Sequence, residues 1–178
     1  RGDTETCRPV LSTPVVLVAW KNRADVLWGD NPDGALWPRL HDAVTKETWE
    51  LYGQSEWGFI KFGQTNPLKS NSGFQTFLLM TYGYVGRTEN LSNDDILDEE
   101  YQRWYREFGR NVTKFGDSTG TFMEEIVAYG PSRYDIVAVY EATAIEHIDN
   151  AVARYGSSYG GLTVIYPPVT SLSDHPFC

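Results

Sequence analysis

Two serine-bearing stretches stand directly before helical segments, and their residue types are those that hold oxygen-rich small molecules. The first, GQTNPLKSNSG (63–73), follows a short apolar strand and opens the most apolar helical segment of the chain. Thr65, Asn66, Ser70, Asn71 and Ser72 supply hydroxyl and amide groups, and Gly73 lets a backbone approach closely. The free N–H groups of a helix's first turn grip an oxyanion or a carboxylate. The same residues also read as a helix cap with a turn before it, since Ser and Asn cap helices generally. The second stretch, GDSTG (116–120), offers Ser118 and Thr119 in the same position relative to another helix, with the same pair of readings. A third feature is Tyr140-Glu141, directly after the apolar run DIVAVY. A carboxylate there receives a ligand's donor or caps the next helix, and the cap or dipole reading has the edge.

Catalytic constellations are thin. The three histidines are His41, His147 and His175, of which His41 and His147 fall on predicted helix surfaces. A triad of Ser118, His175 and Asp174 would want a G-x-S-x-G elbow, which the sequence lacks. No P-loop, G-x-G-x-x-G or H-E-x-x-H occurs. Asn93-Asp94-Asp95 and Asp98-Glu99-Glu100 lack the spacing of a calcium loop and read as a solvated helix start. No catalytic residue, metal or cofactor is expected. Asn90 and Asn111 open glycosylation sequons, relevant only to a eukaryotic secretory route.

The elements that must position these residues alternate. Apolar, β-branched runs at 14–20 (PVVLVAW) and 135–140 (DIVAVY) predict strands buried on both faces, with shorter strands at 58–62 and 162–166. Helical patterns cover 37–52, 74–85, 93–110, 121–129 and 142–155, the last ending at Gly156 before a loop at 157–161. Residues 74–85 are expected at the centre of the core. Residues 1–12 read as a polar lead-in and 169–178 as a return segment. Strands alternating with helices predict one α/β domain of three layers, a mostly parallel sheet with helices on both faces.

Composition narrows the function classes. The chain has 178 residues, is 41% hydrophobic and carries a net charge of −9. With no cluster of Lys and Arg, the acidity argues against nucleic acid and against an anionic membrane surface. No apolar run reaches the ~18 residues a membrane span needs. The start at Arg1, without a leader, is expected of a mature or excised segment of a longer product. The two cysteines, Cys7 and Cys178, have no His or Cys neighbour for a metal, and read as a disulfide or as two separate thiols. A bridge over so long a loop would constrain the unfolded chain by roughly 4–5 kcal/mol and would imply an oxidising compartment.

The strings STPVVLVAW, YGQSEWGFIKFGQTNPLKSNSGFQTFLL, FGDSTGTF, YDIVAVYEATAI and LTVIYPP ending in SDHPF together resemble a known family. They are similar to bacterial extracellular solute-binding proteins of the type II periplasmic-binding-protein fold, in the group often fused to von Willebrand factor A domains. That group is distantly related to molybdate and phosphate binders. The likeness spans about residues 9–177. It implies two lobes joined by hinge strands with a ligand between them, this chain being the second lobe and the first lobe missing. STPVVLVAW would enter from the hinge and LTVIYPP return toward it, so that Cys7 and Cys178 should lie close together. Thr65, Asn66, Ser70, Asn71, Ser72 and Gly73 would line the cleft, with Ser118, Thr119, Tyr140 and Glu141 nearby. The implied function is non-catalytic binding of a small polar or anionic solute in the extracellular or periplasmic space. The implied partners are an ABC-type permease, a sensory protein or a von Willebrand factor A domain. The competing expectations are a protein-interaction or structural module of the same fold and, more remotely, a hydrolase using Ser118 and His175.

Overall fold

The run PVVLVAW forms the inner half of a 13-residue strand, β1 (Arg8–Trp20), and its alternating side chains divide the molecule into two cores. The computed structural model describes residues 7–29 and 35–177. Val15, Leu17 and Ala19 face one side, and Val16, Val18 and Trp20 face the other, all six wholly buried. On the first side lie α1 (Lys21–Trp28), α2 (Leu36–Lys46), α3 (Asn71–Val85) and α5 (Glu99–Asn111). On the second lie α6 (Thr119–Tyr129) and α7 (Glu141–Tyr159). A strand that reads as continuously apolar is one covered on both faces, and β1 is such a strand.

The sheet runs in the order β3 (Lys114–Gly116), β2 (Phe62–Thr65), β4 (Ile136–Tyr140), β1, β5 (Leu162–Ile165), with β6 (Leu172–Phe177) paired to the outer half of β1. β2 is parallel to β3 and β4, whereas β1 is antiparallel to β4, β5 and β6. Five strands therefore point one way and β1 alone runs against them. The α/β class and the helices on both faces are as expected. The sheet is mostly parallel in strand direction but mixed in pairing, because the reversed strand sits in its interior.

Several boundaries differ from the sequence expectation. The lead-in is strand from Arg8 onward, since β6 supplies it with a partner, and the return segment is itself β6. The strand running back beside β1 toward Arg8 is thus β6, while LTVIY holds the sheet's edge as β5. Helix α1 was not foreseen; its mean hydropathy and periodicity are weak, and packing of Ala24, Leu27 and Trp28 holds it. The pattern at 37–52 divides: Glu47 takes a left-handed backbone (φ 65°) that ends α2, and Trp49–Tyr52 form a separate 3-10 turn. Residues 93–110 break likewise at Asp98 into α4 (Asn93–Leu97) and α5.

The strand expected at 58–62 begins only at Phe62 and recruits Gly63, Gln64 and Thr65, because the ladder there is buried under helices on both faces. Residues 114–116, just before the GDSTG turn, form the short strand β3, for which no strand is predicted. Helix α7 continues through Gly156 to Tyr159 and stops at Gly160, whose φ of 75° is left-handed. Helix α3 is central, but its buried face carries Ser72, Gly73, Gln75, Thr76 and Thr81 beside Leu79 and Met80, while Phe74 is exposed. The register of β1 with β6 sets Arg8 opposite Phe177, next to Cys7 and Cys178, and Cys178 lies outside the described residues.

Candidate functional site

Parallel strands deliver their carboxyl ends, and the helices that follow them, to one rim of the sheet. Here β2 ends at Thr65 and leads to α3, β3 ends at Gly116 and leads to α6, and β4 ends at Tyr140 and leads to α7. The register pairs Thr65 with Gly116, and the Asn66 N–H donates to the Gly116 carbonyl at 2.8 Å, so both serine-bearing turns stand side by side. Lys69 and Asp117 face each other across them at 3.9 Å.

Within the first turn a chain of hydroxyls forms. Thr65 Oγ1 meets Ser72 Oγ at 2.7 Å, and Ser72 Oγ meets Ser70 Oγ at 2.9 Å. Ser70 is the N-cap of α3, yet its hydroxyl makes no cap bond and turns to Ser72 instead. Gly73 is required at its place: a Cβ there would sit 2.4 Å from the Thr65 carbonyl oxygen. The turn thus packs the first helical residues onto the end of β2. Asn71 reaches across the rim, its Nδ2 donating to Tyr140 Oη at 3.0 Å and to Ser173 Oγ at 3.3 Å.

Other predicted residues do local work. Asn66 Oδ1 accepts from the Leu68 N–H at 2.9 Å, which closes an Asx turn. Ser118 is exposed and caps α6, accepting from the Gly120 N–H at 3.2 Å. Thr119 Oγ1 meets Thr143 Oγ1 at 3.3 Å, which ties the starts of α6 and α7. Glu141 is the first residue of α7 and accepts from the Tyr166 hydroxyl, a bond that holds the Tyr166 phenol above its ordinary pKa. Thr65, Ser72 and Ser70 therefore form one bonded group and Asn71, Tyr140 and Ser173 a second beside it, with Thr119 and Glu141 on the same rim at the starts of the neighbouring helices.

Thr13, Ser173 and Thr143 belong to this rim and were not singled out. Thr13 Oγ1 accepts from the Ala142 N–H at 3.1 Å, in the first turn of α7. Its only signal is its place immediately before the buried run PVV. Ser173 lies opposite Thr13 on β6, a strand the sequence did not disclose.

A second polar cluster stands at the opposite end of the sheet. Asp135, just before β4, is wholly buried and accepts from Arg23 Nε at 3.2 Å, Trp49 Nε1 at 3.1 Å and the Lys61 N–H at 2.8 Å. Lys61 Nζ lies 3.2 Å from the same carboxylate. A hollow of about 370 Å³ adjoins this cluster and lies away from the hydroxyl rim.

Among the histidines, His41 is buried rather than on a helix surface. Its ring stacks on Trp104 at 4.0 Å between centroids, and Nε2 lies 2.9 Å from the Trp104 carbonyl oxygen, so packing occupies it. The hydroxyl of Ser118 is engaged by its cap bond, and the His175 side chain lies outside what is described. Among the described residues no group of His, Cys, Asp and Glu is arranged to hold a metal ion. No helix among them is long and apolar enough to cross a membrane.

No protein-family model and no curated protein matches the chain. A solved structure described as a two-component system protein that mediates signal transduction superposes with a TM-score of 0.53 at 15% identity. The likeness covers 99% of this chain and 45% of that one, so the chain spans less than half the length of its structural neighbour. At that identity the likeness bears on fold alone.

Proposed function

We propose that the chain is one lobe of an extracellular or periplasmic solute-binding protein, holding a small polar or anionic ligand without catalysis. The observation that carries this reading is the convergence at one rim of Thr65, Ser70 and Ser72 with Asn71, Tyr140 and Ser173. These groups come from β2, α3, β4 and β6, and they stand where helix starts direct their N–H groups. Thr65 and Ser72 are buried beneath this rim, so a ligand would meet Asn71, Ser70 and the Tyr140 hydroxyl, neutral groups that can exchange bonds at little cost because each contributes only about 1 kcal/mol net. The other wall of the cleft would be the first lobe of the same protein, entered and left through the adjacent strands β1 and β6. A disulfide between Cys7 and Cys178 would hold that crossing together. An ABC-type permease, a sensory partner or a fused von Willebrand factor A domain would receive the signal of occupancy.

Calorimetric titration of the two-lobed parent protein with oxyanions, amino acids and sugars tests the proposal. One class should bind, and Asn71→Ala or Ser72→Ala should weaken it by roughly tenfold, the loss of one to two hydrogen bonds. No heat from any class, or binding indifferent to both substitutions, overturns it. The competing reading, an interaction module, draws on exposed Leu68 and Phe74 beside the same turn. It would stand instead if a protein partner shields those two residues in the absence of any solute.

A further inference from the structure

The hollow at the charged end of the sheet has in its wall a buried arginine only partly engaged by the protein. We infer that this hollow, walled by Arg23, Lys61, Trp57 and Tyr159, is a second ligand site that takes a small organic acid through its carboxylate. The inference is independent of the hydroxyl rim.

Arg23 is only 5% exposed although it lines the hollow. Its Nε–H is engaged by Asp135, and its guanidinium lies 3.9 Å over the Trp57 ring and 5.8 Å from the Tyr159 ring centre. An arginine has five N–H donors. The Nε–H alone is matched to a protein acceptor among the described residues, which leaves the two terminal nitrogens as donors for something else. Stacking on Trp57 fixes the plane of the fork, and a fixed fork is the geometry that pairs with a carboxylate.

Charge points the same way. Asp135 is a single buried carboxylate facing two cations, Arg23 and Lys61, so this buried group keeps one positive charge in excess. Glu56, exposed at the wall of the hollow, is a second carboxylate there and makes no ion pair with Arg23 or Lys61. Asn22, also in the wall, has a buried Oδ1 with no partner; this oxygen accepts, so it would pair with a donor elsewhere on the ligand and not with the carboxylate. Size separates an organic acid from a bare ion. The hollow of about 370 Å³ is open to solvent and has room for a ligand larger than a bare ion. Trp57, already under the Arg23 guanidinium, and Tyr159 would flank the carbon body of an acid whose carboxylate meets Arg23.

The experiment is a titration of the protein with malonate, acetate and sulfate, followed through the side-chain N–H signals of Trp57 and Arg23 by NMR, with sodium chloride as the control. Malonate should give saturable shifts at both signals that chloride does not reproduce, with acetate weaker and sulfate competing. Lys61→Met should weaken malonate by about tenfold, and the surface change Glu56→Gln should tighten it several-fold, the opposite signs expected of the two charges. Ser72→Ala at the far rim should leave the titration unchanged, so failure here and failure of the solute-binding reading are separable. The inference is overturned if no signal saturates, if chloride gives the same shifts, or if Glu56→Gln fails to tighten binding. Should Lys61→Met not fold, Glu56→Gln and the chloride control still decide it.

Discussion

At the carboxyl ends of β2, β3 and β4 the buried polar side chains are neutral hydroxyls bonded to one another, and the charges there, Lys69, Asp117 and Glu141, lie outside them. At the other end a wholly buried carboxylate is held by an arginine, a lysine and an indole. The first kind of cluster can trade partners, since each bond contributes little and another oxygen can replace it. The second cannot, because removing one member strands a charge that has already lost its water. The same sheet thus has an adaptable rim and a fixed one. Backbone geometry explains why they fall where they do. Helix starts gather at the adaptable rim, whereas at the fixed rim the chain enters β2 and β4 through loops that need a clamp.

Breaking the fixed rim should produce the largest effect. Asp135→Asn leaves Arg23 and Lys61 without their counter-charge and should cost about 3–5 kcal/mol, read by urea denaturation. A loss comparable to that of one hydroxyl would erase the contrast between the rims. At the adaptable rim the backbone is less forgiving than the side chains. Gly73→Ala places a methyl 2.4 Å from the Thr65 carbonyl oxygen and should destabilise by about 1–3 kcal/mol while separating Thr65 from Ser72.

The smallest effect concerns acid. Burial alone would push Glu125 upward, but hydrogen bonds led by the one from Lys114, with Arg133 also donating, outweigh it and bring its carboxyl from 4.5 down to about 2. Its folded pKa is depressed, so its contribution is complete above pH 4.5 and is lost as the pH falls toward 2. Glu125→Gln should flatten that part of the stability profile. An unchanged profile would mean that these cations do not hold Glu125 in solution.

The layered α/β class was legible because PVVLVAW and DIVAVY are apolar enough to demand cover on both faces. Their relative direction was not. Nothing local in β1 records that it runs against its neighbours, since orientation is decided by residues more than a hundred positions away. The same limit hid β6 and with it Ser173. Turn chemistry disclosed the loops at 63–73 and 116–120, but not the division of labour within them. Asn66 and Ser118 serve the backbone, while Asn71 and Ser72 reach other elements. Asp135 escaped notice for the opposite reason: a lone acid before an apolar strand looks like solvent-facing punctuation until Arg23, Trp49 and Lys61 surround it.

The early position of β1 carries a cost during synthesis. Its ladder partners are residues 136–140, 162–165 and 172–177, so the most apolar strand emerges first and waits for nearly the whole chain before it can pair. Contacts so distant in sequence slow folding, and an unpaired apolar strand is an invitation to aggregate. Newly made chains should therefore depend on chaperones until residues 136–177 have been made, and truncation before β5 should yield insoluble material.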